Sequence, residues 1–240
     1  MAYINQLLQF WIETDWYFAL LMSIAVNIVV FVSTATILDY AIAGLISKYK
    51  FGSYIDDCPL KLNQKKIEIQ NGIVACVIFG VGSLITRELF SQVWPVSFIS
   101  LLIQLVAFMI FYESYSYFIH RLLHTKPFLK IHDVHHKSVR VTPWSAYSVH
   151  PVEAIFIAMS APIFMSIFPL SLGVALVLHI FGMMFTILIH SNYNLIINNP
   201  LLGKVSGYPR YHSAHHLLGN VNFGFVNDFW DSCLNTRIEK

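Results

Sequence analysis

Apolar runs and the polar stretches between them set the frame of this chain. From Tyr17 to about Leu38 an apolar run, interrupted by Asn27, is long enough to span a bilayer, which takes about 20 helical residues. Residues 71–86 form a second candidate span, short and glycine-bearing (Gly72, Gly80, Gly82). Arg87 and Glu88 mark a brief turn, and Trp94 and Pro95 open a third span to about Tyr112. That span is expected to continue as one helix through Glu113 and Tyr117 into His120 and His124. Runs at 152–169 and 172–189, with Pro169 and Ser171 at the bend, predict a hairpin dipping into or crossing the membrane. Residues 1–16, carrying Trp11, Glu13, Asp15 and Trp16, read as an amphipathic lead-in for the membrane interface. The stretches Ser47–Gln70, 126–150 and everything after His190 are polar enough to lie outside the bilayer core.

Composition agrees with the pattern. The 240 residues are 56% hydrophobic and 12% charged, with a mean hydropathy of +0.61, whereas soluble domains carry about 25% charged residues. The expected class is an all-α integral membrane protein with four or five transmembrane or re-entrant helices. Residues 1–110 would supply the N-terminal spans and a basic loop. Residues 111–240 would supply a catalytic region with the hairpin at about 152–189. A net charge of +2 with no basic stripe gives no reason to expect nucleic acid. Cys58, Cys76 and Cys233 lie far apart, so no disulfide framework is expected. No cleaved signal peptide or lipidation motif is evident. With the N-terminus outside, fourteen of the fifteen Lys and Arg residues fall on the cytoplasmic face and only Arg87 on the other.

The chemistry sits in the histidines. Five of the eleven fall between His120 and His136, as a pair (His120, His124) and a triplet (His132, His135, His136), and the triplet spacing recurs as His212, His215 and His216. Positions i, i+3 and i+4 share a helix face, so each set can aim imidazoles at one point. Neutral imidazole ligates iron, zinc and copper, and eight clustered histidines suit two metals with open positions. Under the charge assignment all three sets lie in a cytoplasmic, histidine-rich metal-binding cap, within reach of a lipid substrate. Two irons there could activate O2 and take hydrogen from an unactivated C–H bond. A zinc-dependent membrane lipid hydrolase and a histidine-rich metal carrier are the alternatives. The H-E-x-x-H arrangement of zinc proteases, G-x-S-x-G and the P-loop are absent.

His120-Arg-Leu-Leu-His124, His132-Asp-Val-His135-His136 and His212-Ser-Ala-His215-His216 resemble the three boxes of the fatty acid hydroxylase/sterol desaturase superfamily. Val141-Thr-Pro-Trp-Ser-Ala-Tyr-Ser-Val-His150-Pro-Val-Glu153, Ile189-His190, Asn198-Asn199-Pro200, Asn222-Phe-Gly and Trp230-Asp231 extend the similarity, most closely to the sterol C5-desaturase branch. It covers about residues 110–236. The resemblance implies a membrane non-haem di-iron enzyme that uses O2 and two electrons to hydroxylate or desaturate a sterol-like or long-chain acyl lipid. It makes the eight box histidines catalytic metal ligands and adds His190 as a ninth. Two iron ions are the implied cofactor, with zinc a possible substitute. The fused cytochrome b5 motif His-Pro-Gly-Gly is missing, so electrons are expected from a separate donor: a cytochrome b5-like protein, a ferredoxin or a reductase. The host membrane would be a bacterial inner membrane or the endoplasmic reticulum.

Other residues stay open. His150 is either a further ligand or a structural His-Pro turn, and His179, mid-span, has a packing or substrate-tunnel role. Glu113, two turns before His120, is placed to accept a hydrogen bond from a ligand imidazole, and Glu153 and Asp231 could do the same. For Asp231 a helix cap is the other reading. Tyr112, Tyr115, Tyr117 and Phe118 read as interfacial anchors or as the lining of a substrate path. The Trp230-Asp231 segment departs from the superfamily by continuing Ser-Cys-Leu-Asn instead of with a basic residue and Gly-Thr.

Overall fold

The computed structural model describes residues 2–197 and 200–238. Helix α1 (Ala2–Glu13) leads into α2 (Trp16–Ser47), followed by α3 (Gln64–Leu89) and α4 (Phe98–Leu123). The short α5 (Leu129–His136) and a 3-10 turn over Pro143–Tyr147 precede α6 (Pro151–Ala158), α7 (Ser160–Met165) and α8 (Leu172–Ile189). Helices α9 (Pro200–Leu218) and α10 (Phe229–Cys233) close the chain. Among the described residues the only strands are two-residue pieces, β1 (Ser53–Tyr54) and β2 (Tyr193–Asn194), paired antiparallel. Four helices, α2, α3, α4 and α8, are long and apolar enough to cross a membrane.

Helix bounds differ from the apolar runs where polar residues find partners. α2 continues past Asp39, whose Oδ2 accepts from Trp144 Nε1 at 3.2 Å and pairs with Lys65. α3 is not a short span. Its first turn, which reads as loop in the sequence, is helical because Gln64 and Glu68 are buried and bonded. Glu68 accepts from Gln64 Nε2 (2.8 Å), Ser138 Oγ (2.8 Å) and Thr142 Oγ1 (2.6 Å). α4 starts at Phe98 rather than Trp94, because Ser97 caps it by accepting from Ser100 N at 3.1 Å. The first arm of the expected hairpin is broken into α6 and α7, neither long enough to span alone. Pro162 lacks the N–H that Ala158 O would accept, and that carbonyl lies over Gly82 of α3, where an added Cβ would come within 3.0 Å of it.

The molecule has two polar ends. At one, Arg87 Nη2 donates to Ile12 O (2.5 Å) and Thr14 O (2.7 Å), capping α1, and Leu172 N and Gly173 N donate to Gln92 O and Val93 O. The tip between α7 and α8 therefore meets the α3–α4 connection. At the other end Lys61 Nζ donates to Lys137 O (2.8 Å), Gln64 Nε2 to Arg140 O (2.9 Å), and β1 pairs with β2. All three histidine sets lie at this second end. Between the two, Phe31, Phe79, Trp144 and Tyr147 pack edge-to-face, with ring centroids 5.0–6.1 Å apart, and form the core that supports it. Phe31 fills the space over Gly72, where any Cβ would stand 2.4 Å from its ring.

Candidate metal centre

Nine histidines converge in two groups. His120, His124, His132, His136 and His215 form the first, and His135, His190, His212 and His216 the second, with the ring nitrogens of each group within 4.8 Å of one another. The triplets do not each aim at a single point, as their spacing alone suggests. At about 100° per residue, i+4 falls about 40° to one side of i and i+3 about 60° to the other, so i+3 and i+4 diverge by about 100°. His132 and His136 of α5 therefore join the first group and His135 the second. On α9 the sorting is reversed, with His212 and His216 in the second group and His215 in the first. His120 on α4 and His124, its C-cap, complete the first group, and His190, the C-cap of α8, completes the second.

The outer ring nitrogens fix the inner ones. His120 Nδ1 donates to Phe223 O (3.0 Å), His215 Nδ1 to Val221 O (2.6 Å) and His190 Nδ1 to Thr186 O (2.7 Å). Those rings then carry their lone pairs on Nε2. The Nε2 atoms face one another: His124 and His215 at 3.2 Å, His136 and His215 at 3.1 Å, His190 and His212 at 2.8 Å, and His212 and His216 at 3.1 Å. Burial pushes His190 down to about 4 and His124 down to about 3, and holds His135, His212, His215 and His216 well below the usual imidazole range. The rings are thus neutral at pH 7, and lone pairs aimed together at this range repel unless a cation lies between them. Two nitrogens bound to one ion at about 2.1 Å and near a right angle stand about 3.0 Å apart, so the donor set fits a metal in each group.

Supporting contacts lie one layer out. His132 Nδ1 is 2.9 Å from Glu153 Oε1, though the two are not aligned as a hydrogen bond. Glu153→Gln is expected to weaken metal affinity about 10–100-fold by loosening this ring, as measured by metal retention against a chelator. Unchanged retention would exclude the role. Asp231 and Glu113, in contrast, touch no imidazole. Asp231, fully buried, accepts from Phe223 N (2.9 Å), Gly224 N (2.5 Å), Tyr211 Oη (2.7 Å) and Thr236 Oγ1 (2.6 Å). It is a loop clamp rather than a helix cap, and its loop carries the Val221 and Phe223 carbonyls that orient His215 and His120. An added Cβ at Gly224 would stand 2.2 Å from Asn227 O, which explains the Asn-Phe-Gly motif. Glu113 Oε2 accepts from Val226 N (2.9 Å) on the same loop.

His150 stands apart as the N-cap of α6, its Nδ1 accepting from Val152 N at 3.2 Å, which is the structural-turn reading. His179 Nε2 lies 2.7 Å from Asn27 Oδ1 and ties α8 to α2. Tyr112 and Tyr115 line a cavity, while Tyr117 is buried with its hydroxyl 3.0 Å from Thr236 Oγ1. Of the four aromatics only Phe118 is exposed enough to serve as an anchor. Glu68, which fastens Ser138 and Thr142 beside α5, has no signal in the sequence beyond a charge at the edge of an apolar run. Asn198 and Asn199 lie outside the described residues.

A cavity of about 100 Å³ reaches both groups, lined by His120, His132, His135, His190 and His212 and otherwise mostly by apolar side chains. A second, of about 320 Å³, lies among α3, α4 and α8. Tyr112, Tyr147, Ile157, Ser160 and Phe225 line both. The two cavities thus adjoin, one among the membrane-spanning helices and one at the imidazoles.

Residues 105–236 match the family model described as fatty acid hydroxylase, and the chain belongs to that family. Among curated proteins it is similar to the Delta(7)-sterol 5(6)-desaturases, which supports the sterol C5-desaturase branch. It is 33% identical to that of Saccharomyces cerevisiae over 132 residues, 55% of this chain and 35% of the relative. It is 28% identical to that of Gibberella zeae over 208 residues, 80% of this chain and 64% of the relative. The matches span about a third to just under two thirds of these relatives' lengths. No solved structure matches.

Proposed function

We propose that this protein is a membrane-bound non-haem di-iron oxidoreductase that uses O2 to hydroxylate or desaturate a lipid, sterol-like or long-chain acyl. The observation that best supports this reading is the pair of all-imidazole groups beside adjoining, mostly apolar cavities among membrane-spanning helices. His120, His124, His132, His136 and His215 would hold one iron, and His135, His190, His212 and His216 the other. Zinc is an ion the same nitrogens would accept in its place. When bound, the pair supplies O2 activation with two electrons and removal of hydrogen from an unactivated C–H bond.

The chain's own residues do the rest. The apolar lining excludes water, and the Val221, Phe223 and Thr186 carbonyls fix which ring nitrogen carries the proton. Residues shared by the two cavities decide which carbon is presented. In this reading residues 1–110 support the catalytic region 111–240. The cap faces the cytoplasm by the distribution of Lys and Arg, in a bacterial inner membrane or the endoplasmic reticulum. Electrons come from a separate cytochrome b5-like protein, ferredoxin or reductase. The test is turnover of candidate lipids by purified protein given reductant. Product is expected in air, none under argon, and product again when air is readmitted. Product formed equally well without oxygen would sink the proposal in favour of hydrolysis.

A further inference from the structure

The larger cavity holds a polar group that the metal groups do not use. His179 lies mid-way along α8, in a mostly apolar lining that includes Phe79, Phe108 and Leu178 beside the hydroxyls of Tyr112, Tyr147 and Ser160. Its hydrogen-bond chain defines the tautomer. Asn27 Nδ2 donates to Ser23 O at 2.8 Å, so Asn27 Oδ1 is the acceptor and His179 Nε2–H the donor at 2.7 Å. Nδ1 therefore carries a lone pair, and among the described residues no group donates to it. A tie between helices alone needs no such second nitrogen, and a polar acceptor within membrane-spanning helices is costly unless something occupies it. Tyr112, whose hydroxyl has no hydrogen-bond partner among the described residues, lines the same cavity. Met109 and Phe181 line it too and are exposed on the outer surface, which gives a lipid a way in between α4 and α8.

We propose that His179 recognises the hydroxyl of an alcohol-bearing lipid, with the O–H of the ligand donating to Nδ1. This rests on the lipid-oxidising reading above and narrows its substrate to an alcohol. An ether, ester or hydrocarbon cannot supply the donor. His179 precedes His190 by eleven residues, a helical rise of about 16 Å. A lipid held this way presents to the imidazoles a carbon remote from its hydroxyl.

The experiment is equilibrium binding to the purified protein in lipid nanodiscs, under argon and without reductant, so that no turnover is involved. The probes are hexadecan-1-ol against its methyl ether and cholesterol against its methyl ether, which distinguish a long-chain from a sterol alcohol. In at least one pair the alcohol is expected to bind about tenfold more tightly, the range set by leaving a buried acceptor unpaired. In His179→Phe that ratio is expected to fall below about twofold. Equal binding within both pairs by the wild type would overturn the proposal, as would a ratio that survives His179→Phe. The wild-type comparison decides even where the variant fails to fold. Selective binding without O2-dependent product would retain this site and reject the oxidase, and product without selectivity the reverse.

Discussion

His135→Ala combined with His215→Ala, one histidine from each group, is expected to purify with almost no metal, where the wild type is expected to carry about two irons per chain. Each group places its ring nitrogens within 4.8 Å, so a missing ring leaves a gap that no other described side chain fills. Loss of a contact merely supporting a ligand costs about 10–100-fold in affinity or activity, and loss of the ligand itself costs more. Lipid turnover should fall at least about 1000-fold. The single variants resolve the sorting. His216→Ala should lose metal from the second group and His136→Ala from the first, although both are the last residues of triplets with identical spacing. Elemental analysis after purification in mild detergent reads all four proteins. Equal metal in the wild type and the double variant would remove the basis for the di-iron reading.

Asp231→Ala is expected to destabilise the protein by about 4 kcal/mol, although Asp231 touches no histidine. The substitution strands the Phe223 and Gly224 N–H groups together with the Tyr211 and Thr236 hydroxyls. Leaving buried donors unpaired costs about 1–3 kcal/mol each, softened here by whatever water enters. In a chain of this size that is a fall in melting temperature of roughly 8–16 °C. Because the same loop presents the carbonyls to His120 and His215, metal of the first group should be lost before that of the second. Thermal unfolding in detergent, with metal content followed in parallel, tests both parts. A melting temperature within about 2 °C of wild type would show that Asp231 does not hold the loop.

Apolar length and histidine spacing foretell most of the long helices and the candidate ligands. An apolar run of about 20 residues can bury itself only in lipid or against another helix, so the spans at 17–38 and 94–112 are legible from length, whereas 71–86 reads as short. Histidines spaced i, i+3, i+4 on polar segments beside them announced metal chemistry without reference to packing. Neighbouring residues in sequence suffice for both inferences, because helical periodicity is local. How those residues are shared out depends on packing. The crossed sorting of the two triplets depends on how α5 and α9 are rotated relative to each other, and periodicity within one helix cannot specify that. Glu68 and Gln64 look like loop residues until Ser138, Thr142 and Arg140, about seventy residues later, arrive to pair with them. Asp231 and Glu113 look like partners for imidazoles, but they grip the loop at 221–226 that in turn holds the rings. Burial and hydrogen bonding between distant segments fix these roles, and a local pattern carries no record of which distant segment a side chain will meet.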